Sequence, residues 1–143
     1  GFKNCMCSEK KLAKALARMT YAFSNATCAK VNMITGEAYG SAYVFMNSKS
    51  IGADLVYAWN DAKIGTMDST IAAKIMYPDA DAAEIKEKAS EYEKLQSSAT
   101  SAAARGYVDR IIEPADSRKY LVAAFEMLYT KYVGEPEKKH GTK

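Results

Sequence analysis

The stretch that decides the fold runs Lys30-Val-Asn-Met-Ile-Thr35, then Gly36-Glu-Ala-Tyr-Gly40, then Ser41-Ala-Tyr-Val-Phe-Met-Asn47. Lys30 to Thr35 alternates apolar and polar side chains, the period of a strand, and ends at Gly36. Gly36 to Gly40 reads as a turn. Ser41 to Asn47 fits strand or helix on period alone, since Tyr43, Val44 and Phe45 are all β-formers. The small residues at its start favour a helix packed closely on the preceding strand.

Outward from this core, Asp54–Trp59 and Lys63–Met67 are short apolar runs parted by the turn-prone Asn60-Asp61, and they predict two buried strands. Asp68 and Ser69 cap a small-residue helix that runs through Ile75 and stops at Tyr77, ahead of Pro78. Residues 79–104 predict helix in one or two pieces. Ile85, Ala89, Tyr92 and Leu95 form its stripe, Ser97, Ser98 and Ser101 weaken its continuation, and Gly106 ends it. Tyr107–Ile112 predicts a last strand, and Pro114 opens a helix with Leu121, Phe125, Leu128 and Tyr132 on one face. Upstream, Leu12, Leu16, Met19 and Phe23 recur at helical spacing between Glu9 and Ala26, with Ser8 as N-cap. The tail after Gly134 is polar. Strands alternating with helices predict an α/β class with parallel pairing through crossover helices. No internal repeat is visible in the sequence. The first and last helices both carry a broad apolar face, so at least one is expected to dock on another subunit.

Composition sets the outer limits. With 143 residues, 48% hydrophobic and 26% charged, the chain fits one domain and is too apolar for disorder. Every apolar run is interrupted well short of the roughly 20 residues of a membrane span. Lysine and arginine exceed aspartate and glutamate by only 20 to 17, with both signs interspersed, so charge argues for no nucleic-acid partner. Cys5, Cys7 and Cys28 make an odd count, and one residue between the first two is too few for a zinc knuckle. They are expected to be reduced, cytosolic and structural or incidental, and the lone His140 sits in the tail, so no metal site is expected. The N-terminus lacks the apolar core of a secretory signal. A start at Gly1 is expected to mark processing, an artificial boundary or a piece of a longer chain.

No serine, histidine and aspartate arrangement exists, nor any G-x-x-x-x-G-K-[ST] loop or G-x-G-x-x-G fingerprint. What remains is the main chain around Gly36-Glu37-Ala38-Tyr39-Gly40-Ser41-Ala42-Tyr43. Small residues at a strand-to-helix turn let a ligand approach the backbone, and the N–H groups at a helix start carry partial positive charge suited to an oxyanion. The alternative is a tight turn in which Gly40 avoids a clash and Ala42 only packs. Trp59 is expected to anchor the core, and Met6, Met19, Met33 and Met46 to pack. Arg105, Arg110 and Arg118 are expected to pair with Asp109, Glu113 or Asp116.

Residues 38–59, A-Y-G-S-A-Y-V-F-M-N-S-K-S-I-G-A-D-L-V-Y-A-W, are followed by A-x-I-x-x-M at 62–67, by A-A-A-R-G-Y-V-D-R-I-I-E-P-A-D-S-R at 102–118 and by K-K-H-G at 138–141. In that order they resemble the C-terminal half of the biotin-dependent acyl-CoA carboxyltransferases, and Gly1-Phe2 resembles the end of that family's D-x-P-G-F loop. The resemblance implies a crotonase-like fold of repeated β-β-α units. It places the carboxyltransferase domain at residues 1–133 and leaves 134–143 as tail. It also implies a half-site for biotin, present as carboxybiotin on a partner carrier protein. The acyl-CoA substrate would sit on an N-terminal carboxyltransferase domain or subunit, within a homo-oligomer. Matched to the family's Y-G-G-A-Y motif, Ser41 and Ala42 would supply the amides that stabilise charge on the ureido oxygen. Gly1, Phe2, Tyr39, Gly40, Tyr43 and Val44 would bind the cofactor, with Val44 lining the acyl pocket. Ser41 stands where the family has glycine, Asp68 and Ile71 where many members have glycine, and Asn60 where proline is usual. Two other readings follow. These departures would fit a non-catalytic oligomerisation module derived from the family. A crotonase-fold enzyme acting on acyl-CoA alone would need a complete CoA pocket and an acid/base carboxylate within this chain, and the sequence singles none out.

Overall fold

The computed structural model describes the backbone of residues 6–134 and the side chains of residues 11–134. Gly1, Phe2, Cys5, the side chains of Met6 and Cys7, and the 138–141 motif with His140 lie outside the described residues.

The first described element is helix α1 (Met6–Asn25), so Ser8 lies inside the helix and not at its N-cap. Its stripe of Leu12, Leu16, Met19 and Phe23 is half-buried. Strand β1 (Val31–Ile34) follows, where the alternation placed it. The segment after Gly36 is more than a turn: Glu37–Tyr39 form strand β2, which leads directly into helix α2 (Gly40–Phe45). A three-residue strand has too little pattern to announce itself, and β2 exists because it pairs in parallel with β4, far along the chain.

The same order then recurs. Strand β3 (Leu55–Trp59), strand β4 (Lys63–Gly65) and helix α3 (Ser69–Met76) repeat the β-β-α unit made by β1, β2 and α2. All strand pairs are parallel. β1 lies on β3 from Val31↔Leu55 to Ile34↔Ala58, and β2 on β4 from Glu37↔Lys63 to Tyr39↔Gly65. Each unit therefore stacks on the next as a step of a superhelix, although the two share no sequence repeat. Residues 79–104 become helix α4 (Ala82–Tyr92), a π-helical turn at Glu93–Ser97 and helix α5 (Ala99–Ala104). Gly106, at φ +80, ends α5 with its amide on the Ala103 carbonyl. The last strand is shorter than its apolar run: β5 (Arg110–Ile112) pairs only with the end of β3. A single 3₁₀ turn at Pro114–Asp116 enters helix α6 (Ser117–Met127), which ends before Tyr132 and so leaves it off the predicted face.

The three-stranded sheet β1-β3-β5 is covered on both faces, which explains the near-continuous apolar run in β3. Val56 and Ala58 point one way, into a core with Ile34, Ile64, Ala99 and Ala102. Tyr57, flanked by Leu55 and Trp59, points the other way, against Ile112, Ala124 of α6 and Tyr120. Trp59 donates from its indole N–H to Ser117 Oγ at 2.9 Å, tying the end of β3 to the start of α6. The starts of the two β-β-α units are also joined. The Lys30 amide donates to Asp54 Oδ2 at 2.7 Å, the Asp54 amide donates to the Lys30 carbonyl at 2.8 Å, and Lys131 pairs with Asp54 at 2.8 Å.

The expected arginine pairs are not made among the described residues. Arg110 lies over the Tyr120 ring, 4.9 Å from its centroid. Arg105 donates to Gln96 and Leu95, and Asp109 instead receives Lys49 and the Val56 amide. Arg105 and Arg110 find partners within ten residues, whereas Asp109 is claimed by Lys49 and Val56, 60 and 53 residues away, a proximity set by tertiary stacking. Met33 packs as expected, but Met46 is 62% exposed. Val122, Phe125 and Met127 leave an exposed apolar face on α6, and Cys28 is free and exposed.

Candidate active site

The site is built at the junction of β2 and α2. Tyr39 is extended at φ −116, ψ 142, and the chain then turns through Gly40 at φ +62 to enter the helix. Because Tyr39 pairs with Gly65, Gly40 comes beside the next residue of the neighbouring unit, and a Cβ there would stand 3.1 Å from the Thr66 carbonyl oxygen. Glycine is thus required twice, by conformation and by space. Among the described non-glycine residues only Asn47 has a positive φ, so Ser41 in place of the family's glycine carries no left-handed strain.

The first-turn amides of a helix have no carbonyl four residues back. Among the described residues no side chain caps α2, and neither Ser41 nor Ala42 donates its N–H to an acceptor outside the helices and strands. Two cavities meet the helix. One of about 500 Å³ is lined by Gly40, Tyr43 and Val44 together with Ile64, Thr66 and Tyr92. The other, of about 380 Å³, is lined by Tyr39, Ala42 and Tyr43 together with Met33, Gly36 and Met46. Tyr43 faces both. Its hydroxyl is buried without a partner, and burial, then the nearby Tyr107, push its pKa up, so it is a neutral phenol with a free donor. Tyr39 is likewise pushed up, by burial first and then by the Glu37 charge, against Lys63, which is paired with Glu93 at 3.0 Å. Ser41 is exposed and lines neither cavity.

The structure therefore brings Tyr39, Gly40, Ser41, Ala42, Tyr43 and Val44 together on one turn, while Gly1 and Phe2 lie outside the described residues. The remaining departures have structural work elsewhere. The Asp68 carboxylate caps α3 by accepting from the amides of Thr70 at 2.9 Å and Ile71 at 3.2 Å. Asn60 donates to Glu113 at 3.0 Å, and Ile71 is 53% exposed. None of the three lines either cavity beside α2. Sequence reasoning did not find Thr66, Tyr92, Gln96 or Tyr107 as cavity walls. They come from β4, α4, the π turn and the approach to β5, and no local motif links them. No group of three metal-ligating side chains exists among the described residues. No described helix is long and apolar enough to cross a membrane.

Compared with known proteins, the sequence matches the carboxyl transferase domain family over residues 1–142. The chain belongs to that family. Within it, the chain is 47% identical over 131 residues to the methylmalonyl-CoA decarboxylase subunit alpha of Propionigenium modestum, covering 87% of this chain and 25% of that one. It is 41% identical over 134 residues to the methylmalonyl-CoA carboxyltransferase 12S subunit of Propionibacterium freudenreichii subsp. shermanii, again covering 87% and 25%. Among solved structures, a transcarboxylase 12S hexamer with methylmalonyl-coenzyme A and methylmalonic acid bound superposes with a TM-score of 0.91 at 39% identity. That match covers 99% of this chain and 28% of the other. This carboxyl transferase domain thus has the crotonase-like α/β fold of its relatives, as a partial domain built of stacked β-β-α units. It spans about a quarter of the length of the curated relatives it matches.

Proposed function

We propose that residues 1–133 form the biotin-side half of a carboxyltransferase. It would move a carboxyl group between biotin on a partner carrier protein and a short acyl-CoA held by an N-terminal carboxyltransferase domain or subunit, in either direction. The observation that carries this reading is the uncapped first turn of α2. There the amides of Ser41 and Ala42 donate to no loop or side-chain acceptor among the described residues, behind a glycine set by its left-handed turn and by the nearby Thr66 carbonyl.

The residues present suit a cyclic urea, whose carbonyl oxygen needs donors and whose ring needs a wall. The amides supply the donors, and the side chain of Tyr43, which borders both cavities, supplies wall. When bound, biotin supplies a ureido nitrogen that can carry and release the carboxyl group. The amides of Ser41 and Ala42 would donate to its ureido oxygen, stabilising negative charge there. They are fixed by the β2–β4 pairing, so they need no reorganisation as that charge develops. Tyr39, Gly40 and Tyr43 shape the approach, and Val44 lines the 500 Å³ cavity from the helix side. That cavity contains no carboxylate to serve as a base, which supports a half-site completed by another domain.

The test supplies an acyl-CoA-side partner and a biotinylated carrier and measures carboxyl transfer. The reading expects turnover that depends on both. Absence of turnover with a folded, assembled protein would overturn it in favour of the non-catalytic assembly module, which the exposed α6 face of Val122, Phe125 and Met127 favours.

A further inference from the structure

We infer that the π-helical turn Glu93–Ser97 positions the helix start at Gly40, acting through β4 with Glu93 and Ser97 as positioning residues. Such turns are rare within helices and collect at functional sites. Here the turn and its two neighbours meet β4 and its continuation at four places. Lys63 pairs with Glu93 at 3.0 Å and forms an antiparallel bridge with Ser98. The Tyr92 hydroxyl lies 3.4 Å from Thr66 Oγ1, and Ser69 Oγ donates to Glu93 at 3.4 Å. Gly65 receives Ser97: a Cβ on that glycine would stand 3.0 Å from Ser97 Oγ. Gly65 is not among the positive-φ glycines, so this contact, and not the backbone, is what excludes a side chain there. Ser97 is fully buried and its hydroxyl has no partner among the described residues, a costly arrangement that makes the side chain a wedge and not a bonding group.

Strand β4 carries these contacts to the first turn of α2. Gly65 sits opposite Tyr39 in the β2–β4 ladder, and the Thr66 carbonyl stands 3.1 Å from where a Cβ on Gly40 would be. Packed elements transmit strain, so a small displacement of β4 re-aims the chain at Gly40 and with it the amides of Ser41 and Ala42. The turn is also braced from behind. The Leu95 carbonyl accepts from Ser101 Oγ at 2.7 Å and from Arg105, and the Lys94 carbonyl accepts from Ser98 Oγ at 3.1 Å. The turn therefore bears on β4 as a fixed body. The consequence for rate rests on the proposed carboxyl transfer, whereas the mechanical coupling does not.

The test uses the full-length assembled protein with its carrier and acyl-CoA-side partner, and reads kcat, KM and the Ala42 methyl resonance of selectively labelled protein. Gly65→Ala drives a methyl group against Ser97 Oγ, and adding Ser97→Ala removes that oxygen and leaves only the Cβ, 3.7 Å away. Gly65→Ala is expected to lower kcat about tenfold, with little change in the KM for acyl-CoA, and the second substitution to restore most of it. The Ala42 resonance should shift in the single variant and return in the double one. Glu93→Ala frees β4 without adding bulk and should lower kcat several-fold, whereas Glu93→Gln retains an acceptor for Lys63 and Ser69 and should recover it. Lys131→Gln, which breaks the ion pair at the starts of β1 and β3, should lose stability and keep kcat. An unchanged kcat in Gly65→Ala and Glu93→Ala, an unmoved Ala42 resonance, or a defect that Ser97→Ala does not repair overturns the inference. So does a fall in kcat that Lys131→Gln reproduces at equal loss of melting temperature. If the wild-type assembly transfers no carboxyl group, the proposed function fails and the resonance alone decides: a shift in Gly65→Ala that Ser97→Ala reverses upholds the positioning.

Discussion

The two β-β-α units share strand order, parallel pairing and the position of their helix, yet they treat the first turn of that helix in opposite ways. In the second unit Asp68 folds its carboxylate back onto the amides of Thr70 and Ile71, so α3 begins satisfied. In the first unit no side chain caps α2, the chain enters through left-handed Gly40, and the amides of Ser41 and Ala42 are left for something else. Stacking supplies two equivalent helix starts, and one side chain decides which is closed. The proposed activity would thus depend on what is withheld from the backbone as much as on what is added.

The sharpest way to break this contrast is to remove an amide from the first turn of α2, with the melting temperature measured alongside because a proline also restricts the backbone of Gly40 before it. Proline is tolerated in the first helical turn, where its missing N–H has no intrahelical partner, and Ser41→Pro places it directly after the already left-handed Gly40. Carboxyl transfer should fall by about 10²–10³, the usual effect of losing one oxyanion donor, with little change in melting temperature. A transfer rate within a factor of two of wild type would remove Ser41 from the mechanism.

Next in size is Gly40→Ala. The left-handed conformation costs roughly 1–2 kcal/mol with a side chain, and the Thr66 carbonyl, 3.1 Å from the new Cβ, must move. Stability and transfer should both drop. Gly106→Ala is the matched control, since Gly106 has φ +80 and nothing within 4 Å: it should lose stability in denaturant melts and keep transfer.

Asp68→Ala uncaps α3 and makes the second unit resemble the first. It should cost about 1 kcal/mol in chemical denaturation and leave carboxyl transfer unchanged, because α3 borders neither cavity beside α2. A loss of transfer larger than the loss of stability would show that the two helix starts are coupled.

The smallest effect lies where the units are joined, at Lys30 and Asp54. Burial opposes the charged Asp54 carboxylate, but the hydrogen bonds from Lys131 and the Lys30 amide, with the charges of both lysines, outweigh it and hold the pKa below the ordinary 3.8. The folded carboxyl is therefore harder to protonate than the unfolded one. Its stabilising contribution is complete above pH 3.8 and is lost as pH falls through the lower folded value. Denaturant midpoints should be flat for this group near neutrality and decline below pH 4, and Asp54→Asn should flatten that decline.

Much of this was legible locally. The alternation of Lys30–Thr35, the apolar runs of β3 and β4, the Asp68 cap and the glycine stop at Gly106 each follow from forces acting within a few residues, and the structure forms them where the pattern placed them. The family motif around Tyr39–Val44 was also present in the sequence, as was the reason for suspecting its main chain. Other features had no local signal. Strand β2 is three residues held by a partner in the next unit. The partners of Asp109 were chosen by stacking, since Lys49 lies 60 residues away in sequence and Val56 lies 53 away.

By itself, then, the sequence determined the α/β class, most of the elements other than β2 and the turn whose amides carry the proposed chemistry, because propensity, capping and glycine conformation are short-range effects. Only the tertiary structure decided that Gly40 must clear the Thr66 carbonyl, that Ser41 is unstrained, and that Ser97 of the π-helical turn packs against Gly65. Those outcomes depend on which unit stacks on which and in what register, a free energy summed over contacts between residues far apart in the chain.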